Sequence, residues 1–581
     1  MSNNEPQPVP PVYPDIEDWP IYKLSEDRRN FVEEIESYTL DKMLKLPPSQ
    51  ARDLISKTIY QERIRIKEEP WKVDPPKEKQ FWKRIGRRHI RLSLDTDPQQ
   101  AAQSNRENLQ QIIHRYAEEI VGTFKISTFL FARRFLTFFF TRLLNTAALR
   151  SIRGLWRKQH QLVDKLMVDG HIETVRKLFH KGTVVVVPTH FSNLDSILIG
   201  YALDTAMGLP SFSYGAGLNL YNTGYTAYFM NRLGAYRVDR RKKNGIYLET
   251  LKAMSMLSIK RGVNSLFFPG GTRSRSGRLE QKLKLGLLGT TVEAQRRIYQ
   301  EEREEKVFIV PLVLSYHFVL EAEFLIEQHL RQIGKEQYLK TKDSSYSPFR
   351  VLRFIWRVFS KGNNITLSVG QPMDVLGNPV DEEGTSYDKL GRKIGLKDYF
   401  TNQQGVVNED LQREAEYTSI LGEKIVERYH KDNIVLTSHL VAFAAFELLK
   451  HQNPQLDLYG ILRLPAEEFV FPQSALGDII NQLRERLLAM EKLDNIKLAD
   501  GIHESVEYIL KDGISHLGNF HALSPLYFDK KQRIVSDSFK TLYFYHNRLD
   551  NYKLEKHINW KNIGEEALLL EEELYNQEGR L

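Results

Sequence analysis

Four short runs of apolar residues, separated by polar turns and by longer amphipathic segments, set the pattern of this chain. They cover residues 183–187, 264–268, 307–314 and 365–369. The runs lack regular polar alternation, which is typical of strands covered on both faces. Strands that alternate with helical segments indicate an α/β core. We expect Pro311 to interrupt the third strand, because proline donates no ladder hydrogen bond.

Segments with helical spacing lie on both sides of this core. Residues 24–119 are charged and helical in pattern, with breaks at the proline pairs 47–48 and 75–76. We expect further helices over residues 246–261, 412–429, 436–449, 474–491 and 502–510, and a loop over residues 215–220. The predicted organisation is a disordered proline-rich N-terminus (1–23), a helical N-terminal region (24–125), an α/β domain (126–375) and a helical C-terminal domain (376–581).

The most apolar segment, residues 127–144, predicts a helix with two chemically different sides. One side carries Phe131, Phe135, Phe138 and Phe139. The other side carries Arg133, Arg134, Thr137 and Thr141. Such a helix can lie in a membrane interface. It can equally pack its phenylalanines against a neighbouring domain, and the sequence leaves both interpretations open.

Composition narrows the classes of function. The chain has 581 residues and a net charge of +8, which is consistent with an anionic partner such as nucleic acid, an anionic membrane surface or a phosphorylated substrate. It contains no cysteine, which excludes disulfides, cysteine metal ligands and a cysteine acyl-enzyme. No N-terminal segment resembles a signal peptide, and no apolar run is long enough to predict a transmembrane helix.

A polar turn after the first strand contains His190 and Asp195. Turns at strand ends are where α/β proteins carry out their chemistry, and a histidine oriented by a carboxylate is a common general base near neutral pH. The spacing alone is weak evidence, because a chain with 16 histidines and 74 acidic residues contains such pairs by chance. Ser192 and Asp195 also fit a helix capping box, with Ser192 or Asn193 as the N-cap. Catalysis and capping are therefore both open.

A second polar turn, after the strand at 264–268, combines glycines with arginines. Its candidate phosphate-binding residues are Gly271, Thr272, Arg273, Ser274 and Arg275. Glycine lets a backbone approach an anion closely, and guanidinium groups bind phosphate oxygens in pairs. Arg240 belongs to another basic stretch, residues 237–243, and a solvent-exposed basic surface is the alternative for both stretches. Because strand ends meet at one edge of a parallel sheet, we expect the base and the arginines to converge.

Four blocks in a fixed order resemble the glycerolipid acyltransferase superfamily, and most closely the bacterial membrane-bound glycerol-3-phosphate acyltransferases. The blocks are residues 190–195 (HFSNLD), 234–240 (GAYRVDR), 268–277 (FPGGTRSRSG) and 310–313 (VPLV). The resemblance covers roughly residues 110–450, with weaker similarity up to Tyr545. Any one block is weak evidence, whereas the ordered set is specific.

The resemblance implies an enzyme that transfers a fatty acyl group from acyl-CoA or acyl carrier protein to the 1-hydroxyl of glycerol 3-phosphate, giving lysophosphatidic acid in phospholipid biosynthesis. His190 is then the general base and Asp195 its partner, while Arg240, Arg273 and Arg275 hold the phosphate. Backbone N–H groups of the histidine turn are candidates for stabilising the oxyanion. No protein nucleophile is expected, because the thioester is already activated, and the resemblance implies no cofactor or metal.

The resemblance also implies where the protein acts. The expected partners are the acyl donor, glycerol 3-phosphate and a membrane surface, without nucleic acid. The expected location is peripheral to the membrane, at the cytoplasmic face of the inner membrane.

One position departs from the family pattern, since Gly270 stands where the family normally carries glutamate. Without a glutamate at position 270, the acidic contact that the family usually makes there, and with it full activity, is in question. The alternatives are an acyltransferase that uses 1-acylglycerol 3-phosphate or dihydroxyacetone phosphate, or a non-catalytic basic protein that binds membrane or nucleic acid and retains a decayed acyltransferase core.

Overall fold

The computed structural model describes residues 9–71, 74–93, 98–148, 166–221, 224–317, 319–334, 365–466, 469–517, 521 and 523–563. Its central strands are β1 (Leu166–Gly170), β2 (Gly182–Pro188), β3 (Ser213–Gly217), β4 (Ala235–Val238), β5 (Ser265–Leu266), β6 (Lys306–Ser315) and β7 (Ile365–Val369). They form one sheet in the order β1-β7-β6-β2-β5-β3-β4. Strands β2 to β6 run parallel, whereas β7 and β1 run in the opposite direction. The predicted α/β class is confirmed, and five carboxyl ends share one edge of the sheet.

All four strands predicted from apolar runs are present, as β2, β5, β6 and β7. The expected interruption at Pro311 is wrong, because β6 continues through it. The pairing of β6 with β7 begins only at Leu312, and the Pro311 carbonyl still accepts a hydrogen bond from the Gly370 N–H at 2.9 Å. The missing N–H therefore leaves the ladder intact.

The expected loop over residues 215–220 is wrong, because β3 covers its first half and a 3-10 helix, Leu218–Tyr221, covers its second. This strand is rich in glycine, which disfavours a strand assignment from sequence. The structure gives the reason for one of these glycines: a Cβ on Gly215 would meet the Tyr236 hydroxyl of the neighbouring β4 at 3.0 Å. Packing across the pair, rather than intrinsic preference, selects this sequence.

Helices cover the sheet and form the two terminal regions, as the apolar spacing predicts. Those before the sheet are α1 (Pro20–Glu26), α2 (Arg28–Leu44), α3 (Pro48–Glu68), α4 (Glu78–Ser93), α5 (Pro98–Ile120) and α6 (Ile126–Ala148). Those between the strands are α7 (Ile172–Leu178), α8 (Asp195–Tyr201), α9 (Gly224–Met230), α10 (Gly245–Lys260), α11 (Leu285–Gln300) and α12 (Ala322–Ile333). Those after β7 are α13 (Leu411–Asp432), α14 (Thr437–Gln452), α15 (Leu458–Ile461), α16 (Gln473–Lys492), α17 (Asp500–His503), α18 (Val506–Leu517) and α19 (Phe539–His546).

Seven two-residue strands lie outside the central sheet in the described part of the chain. They are β8 (Ser386–Tyr387), β9 (Lys393–Ile394), β10 (Ile434–Val435), β11 (Val470–Phe471), β12 (Lys497–Leu498), β13 (Tyr527–Phe528) and β14 (Ile534–Val535). Of the helices that the structure describes, none combines the length and the hydropathy that a membrane span requires.

One hydrophobic cluster extends from Phe31 in α2 to Ile563 and includes the interior of the sheet. The predicted disorder of residues 1–23 is wrong from residue 9 onward, while residues 1–8 lie outside the described part of the chain. Trp19 and Ile21 are buried in a second cluster with Phe124. The few apolar residues of this proline-rich stretch thus pack against the chain and hold it in place.

Candidate active site

The polar turn between β2 and α8 brings the histidine and the aspartate together. His190 Nδ1 lies 2.9 Å from Asp195 Oδ2. The Asp195 side chain is fully buried, whereas the His190 side chain keeps 14% of its surface exposed. A carboxylate that accepts the Nδ1–H leaves the lone pair of the neutral ring on Nε2. In the described residues no hydrogen-bond partner is found for Nε2, so this atom is open to a substrate hydroxyl.

Asp195 also holds the backbone of the turn. Its Oδ2 accepts hydrogen bonds from the N–H of Phe191 at 2.7 Å and of Ser192 at 3.0 Å. The capping contact and the contact with histidine therefore coexist on one carboxylate. The expected N-cap at Ser192 or Asn193 is wrong, because the N-cap is Leu194, which has no side-chain cap bond.

Glu321, at the start of α12, binds both residues that were the expected caps of α8, while the Ser192 hydroxyl oxygen still accepts the Leu194 N–H at 3.2 Å. The Ser192 hydroxyl donates to Glu321 Oε2 at 2.9 Å, and the Asn193 N–H donates to Oε1 at 3.0 Å. Arg273 Nη1 donates to the same Oε1 at 3.2 Å. Burial raises the pKa of Glu321, and the charge of Arg273 opposes that rise. One carboxylate thus connects the turn after β5 that carries Arg273 and Arg275 (the arginine turn) to the turn after β2 that carries His190 (the histidine turn).

Two aromatic residues contact the pair: one packs on the imidazole ring and the other binds the carboxylate. Phe268 stacks on His190, with ring centroids 4.1 Å apart and planes inclined by 25°. The Tyr316 hydroxyl, just beyond β6, donates to Asp195 Oδ1 at 2.5 Å. Burial and the charge of Asp195 raise the pKa of Tyr316 well above its usual value, so the phenol stays protonated and remains a donor. Both contacts limit the freedom of the imidazole.

The arginine turn lines a cavity of about 310 Å³, a size that suits a small ligand. Four predicted residues contribute to its wall: Thr272, Arg273, Ser274 and Arg275. Arg278, the third arginine of the turn, also lines it, whereas the sequence did not single out Glu280, Lys282 and His329. Burial and the charges of Arg278 and Arg275 lower the pKa of His329. The cavity is therefore basic and suits an anionic ligand.

The remaining predicted residues differ in their placement. Arg240 is exposed and is absent from the cavity wall, yet local desolvation and the charges of Arg273 and Arg275 lower its pKa. Gly271 is absent from the cavity wall; its φ of 76° is left-handed and Lys284 packs against it. Ser274 braces the turn, because its N–H donates to the His190 carbonyl at 2.7 Å.

The solvent-exposed alternative for the stretch 237–243 is wrong at two of its basic residues. Arg241 pairs with Asp239 at 2.7 Å, and Lys242, which is buried, pairs with Glu119 of α5 at 2.5 Å. Arg241 also pairs with Asp74, between α3 and α4, at 2.5 Å, so both cations join the sheet to the N-terminal helical region. The stretch is therefore partly structural, and Arg240 is the member whose pKa responds to the arginine turn.

The C-terminal region reaches the site through Arg548, which sequence reasoning missed. This residue is buried, donates from Nη2 to the Leu314 carbonyl at 2.7 Å, and places its guanidinium 4.1 Å from the centre of the Phe191 ring. Burial lowers its pKa to about 10. No sequence signal identified it, because its contacts with Leu314 and Phe191 join residues more than 200 positions apart.

Comparisons with known proteins agree with the resemblance seen in the sequence. Residues 168–315 match the family model described as Acyltransferase. A glycerol-3-phosphate acyltransferase of Shewanella amazonensis is 26% identical over 409 residues, covering 67% of this chain and 43% of the relative. Proteins of the same name from two strains of Pseudomonas fluorescens are 25% identical over 422 residues (70% of this chain, 46% of the relative) and 28% identical over 292 residues (50% and 31%).

The chain spans less than half of the length of these relatives. A solved structure, the 1-acyl-sn-glycerophosphate acyltransferase of Thermotoga maritima, is 13% identical, covering 66% of this chain and 97% of its own with a TM-score of 0.23. The predicted likeness to bacterial glycerol-3-phosphate acyltransferases is confirmed by the family model and the named relatives together.

Proposed function

We propose that this protein transfers a fatty acyl group from a thioester, acyl-CoA or acyl carrier protein, to the 1-hydroxyl of glycerol 3-phosphate. The observation that carries the proposal is the His190–Asp195 pair, whose open Nε2 belongs to a turn hydrogen-bonded to the wall of a basic cavity. The similarity to relatives named for this reaction supports the choice of substrates.

The reaction needs a base and no protein nucleophile. His190 Nε2 takes the proton of the acceptor hydroxyl while the hydroxyl oxygen attacks the thioester carbonyl. The tetrahedral intermediate then breaks its C–S bond, and the imidazolium returns the proton to the leaving thiolate. Asp195 stabilises the imidazolium through the 2.9 Å contact at Nδ1.

The basic cavity supplies the affinity for the phosphate. Arg273 and Arg275 come from its wall, and their charges lower the pKa of Arg240, which is the third proposed ligand of the phosphate. Charge-assisted bonds from guanidinium groups to a phosphate contribute about 1.5–3 kcal/mol each. Arg273 already binds Glu321, which fixes its direction, so less side-chain entropy is lost when the phosphate binds.

We further propose that the protein works at a membrane surface, peripheral and on the cytoplasmic side, where thioester donors are found. Helix α6 supports this, because Phe131, Phe135 and Phe138 are exposed by 58%, 52% and 68%. Phe131 also stacks on Phe229 of α9, with centroids 6.0 Å apart, so two helices contribute to one apolar surface. The side chains of Phe139 and Thr141 lie outside the described residues.

The decisive experiment is acylation of radiolabelled glycerol 3-phosphate by the purified full chain, with acyl-CoA and with acyl carrier protein as donors. Parallel reactions with 1-acylglycerol 3-phosphate, dihydroxyacetone phosphate and glycerol test the acceptor. We expect product with glycerol 3-phosphate and little with glycerol, because glycerol lacks the phosphate. Absence of product from every phosphorylated acceptor with both donors refutes the proposal.

Arg273→Ala tests the phosphate site within the same assay. We expect the KM for glycerol 3-phosphate to rise about tenfold or more, with a much smaller change in the KM for the donor. Arg392→Ala is the control, since this exposed arginine pairs with Asp388, four positions away, and with no other acidic residue in the described part of the chain. An unchanged KM for glycerol 3-phosphate in the Arg273 variant removes this residue from the site.

A further inference from the structure

Gly270, which departs from the family pattern, is not required by its backbone. Its φ is not left-handed, in contrast to that of the adjacent Gly271. What fills the space beside it is the side chain of Glu280, because a Cβ on Gly270 would lie 3.1 Å from both Cγ and Oε1 of that glutamate. A carboxylate from ten positions further along the chain therefore lies where a side chain at position 270 would lie.

A closed loop brings Glu280 back to this place. The Lys284 N–H donates to the Pro269 carbonyl at 2.8 Å, which joins the two ends of the arginine turn. From this loop the Glu280 side chain reaches the histidine turn, where its Oε1 accepts a hydrogen bond from the backbone N–H of His190 at 3.1 Å. Its Oε2 is buried and finds no hydrogen-bond partner in the described residues. Burial raises the pKa of Glu280 to about 7, so keeping this carboxyl group ionised at its buried position costs folding free energy.

We propose that Glu280 is the positioning residue of the general base and replaces, in space, a carboxylate that position 270 would otherwise supply. By holding the His190 N–H it fixes the backbone that carries the imidazole. The inference deepens the proposed acyl transfer and rests on it. A glutamate at position 270 should therefore be able to replace Glu280. The two cannot be present together, because the space between positions 270 and 280 accommodates one carboxylate.

Four variants of the full chain test this exchange: Glu280→Ala, Glu280→Gln, Gly270→Glu, and the double variant Gly270→Glu with Glu280→Ala. Glu280→Ala should lower kcat about ten- to a hundredfold, the effect of one charge-assisted hydrogen bond, with the KM for glycerol 3-phosphate changed less than about threefold. The double variant should recover most of the lost kcat. Gly270→Glu alone should lose activity, because its new side chain meets Glu280.

Glu414→Ala is the matched control for the loss of a buried carboxylate. Burial raises the pKa of Glu414 too, but its partner is Arg296 at 2.6 Å. We expect this variant to lower the thermal midpoint and leave the kcat of the folded protein unchanged. A merely structural role for Glu280 predicts the same behaviour, and that result overturns the proposal.

Hydrogen exchange of the peptide containing residue 190 separates the failure of this inference from failure of the proposed function. If the wild type acylates no acceptor, the inference is still judged by the exchange rate, which Glu280→Ala should raise and the double variant should restore. An unchanged rate in Glu280→Ala, or a folded double variant without recovery, rejects it. Should the double variant not fold, equal losses in Glu280→Gln and Glu280→Ala reject it, because glutamine keeps an oxygen acceptor.

Discussion

The hydrogen bonds of Asp195 allow the proposed base to be tested by changing a single atom. In Asp195→Asn, one carboxylate oxygen becomes an NH₂ group. Oδ2 accepts from three N–H groups, those of the His190 ring, Phe191 and Ser192, whereas Oδ1 accepts only from the Tyr316 hydroxyl. Asparagine can keep its oxygen in the Oδ2 position and turn its NH₂ toward Tyr316, whose hydroxyl can also accept. The variant therefore keeps the turn and loses the charge.

The two consequences differ in size. Neutral hydrogen bonds have about half the strength of charge-assisted ones, so the free energy of unfolding should fall by about 1–2 kcal/mol. The imidazolium that forms during the reaction loses its counter-charge, and kcat should fall about 10²- to 10⁴-fold. A thousandfold loss corresponds to about 4 kcal/mol in the barrier, which exceeds the loss in stability.

The assay measures kcat from the released thiol and the thermal midpoint of the same protein. Asp381→Asn is a matched control, because Asp381 accepts the N–H groups of Glu383 and Thr385 at 2.9 and 2.8 Å and the Tyr387 hydroxyl at 2.8 Å. It should lose a similar amount of stability and keep its kcat. A folded Asp195→Asn protein with the turnover of the wild type would refute the role of the pair.

Three further outcomes follow from the same contacts. Replacing Phe131, Phe135 and Phe138 together by alanine should weaken binding to anionic vesicles at least about tenfold, because each phenylalanine contributes apolar area to the interface; flotation in low and high salt measures this. The pKa of Glu280 is about 7 in the folded protein against an ordinary value of 4.5, so the folded state binds the proton more tightly. The free energy of unfolding of the wild type should fall as pH rises from about 5 to about 7, and Glu280→Gln should remove that part of the slope in denaturant titrations at the two pH values. Arg548→Met should lower the free energy of unfolding by about 2–4 kcal/mol, measured in the same way, because the Leu314 carbonyl and the Asn433 side chain lose a buried donor.

The strands that the sequence missed are those in which neighbours outweigh local preference. β2, β6 and β7 are continuous apolar runs and stand out by pattern alone. β1 and β4 are the two edge strands of the sheet, and β3 lies next to β4. Their short sequences include Asp, Arg and Gly, because an edge position or a close neighbour changes what each site tolerates. Strand propensities summed along the sequence contain no information about a residue's neighbours in the sheet.

The candidate site divides in the same way between local and distant information. His190, Asp195 and the arginine turn were found because each lies in a short motif directly after a strand. Tyr316, Glu321 and Arg548 escaped notice, since their contacts with the histidine turn join residues more than 100 positions apart along the chain. Glu280 lies only ten residues from Gly270, yet its role depends on a loop closure that no local pattern encodes.

The backbone of the histidine turn has a consequence for the chemistry. Three carboxylates take four consecutive N–H groups: Glu280 that of His190, Asp195 those of Phe191 and Ser192, and Glu321 that of Asn193. These groups were candidates for stabilising the oxyanion, and they are already occupied. The turn therefore holds the proposed base, and in the proposed reaction a developing negative charge beside three carboxylates needs cationic or N–H donors from another element. Arg273, which binds Glu321, is the nearest cation that the hydrogen bonds identify, so its loss should reduce kcat as well as raise the KM for the phosphate.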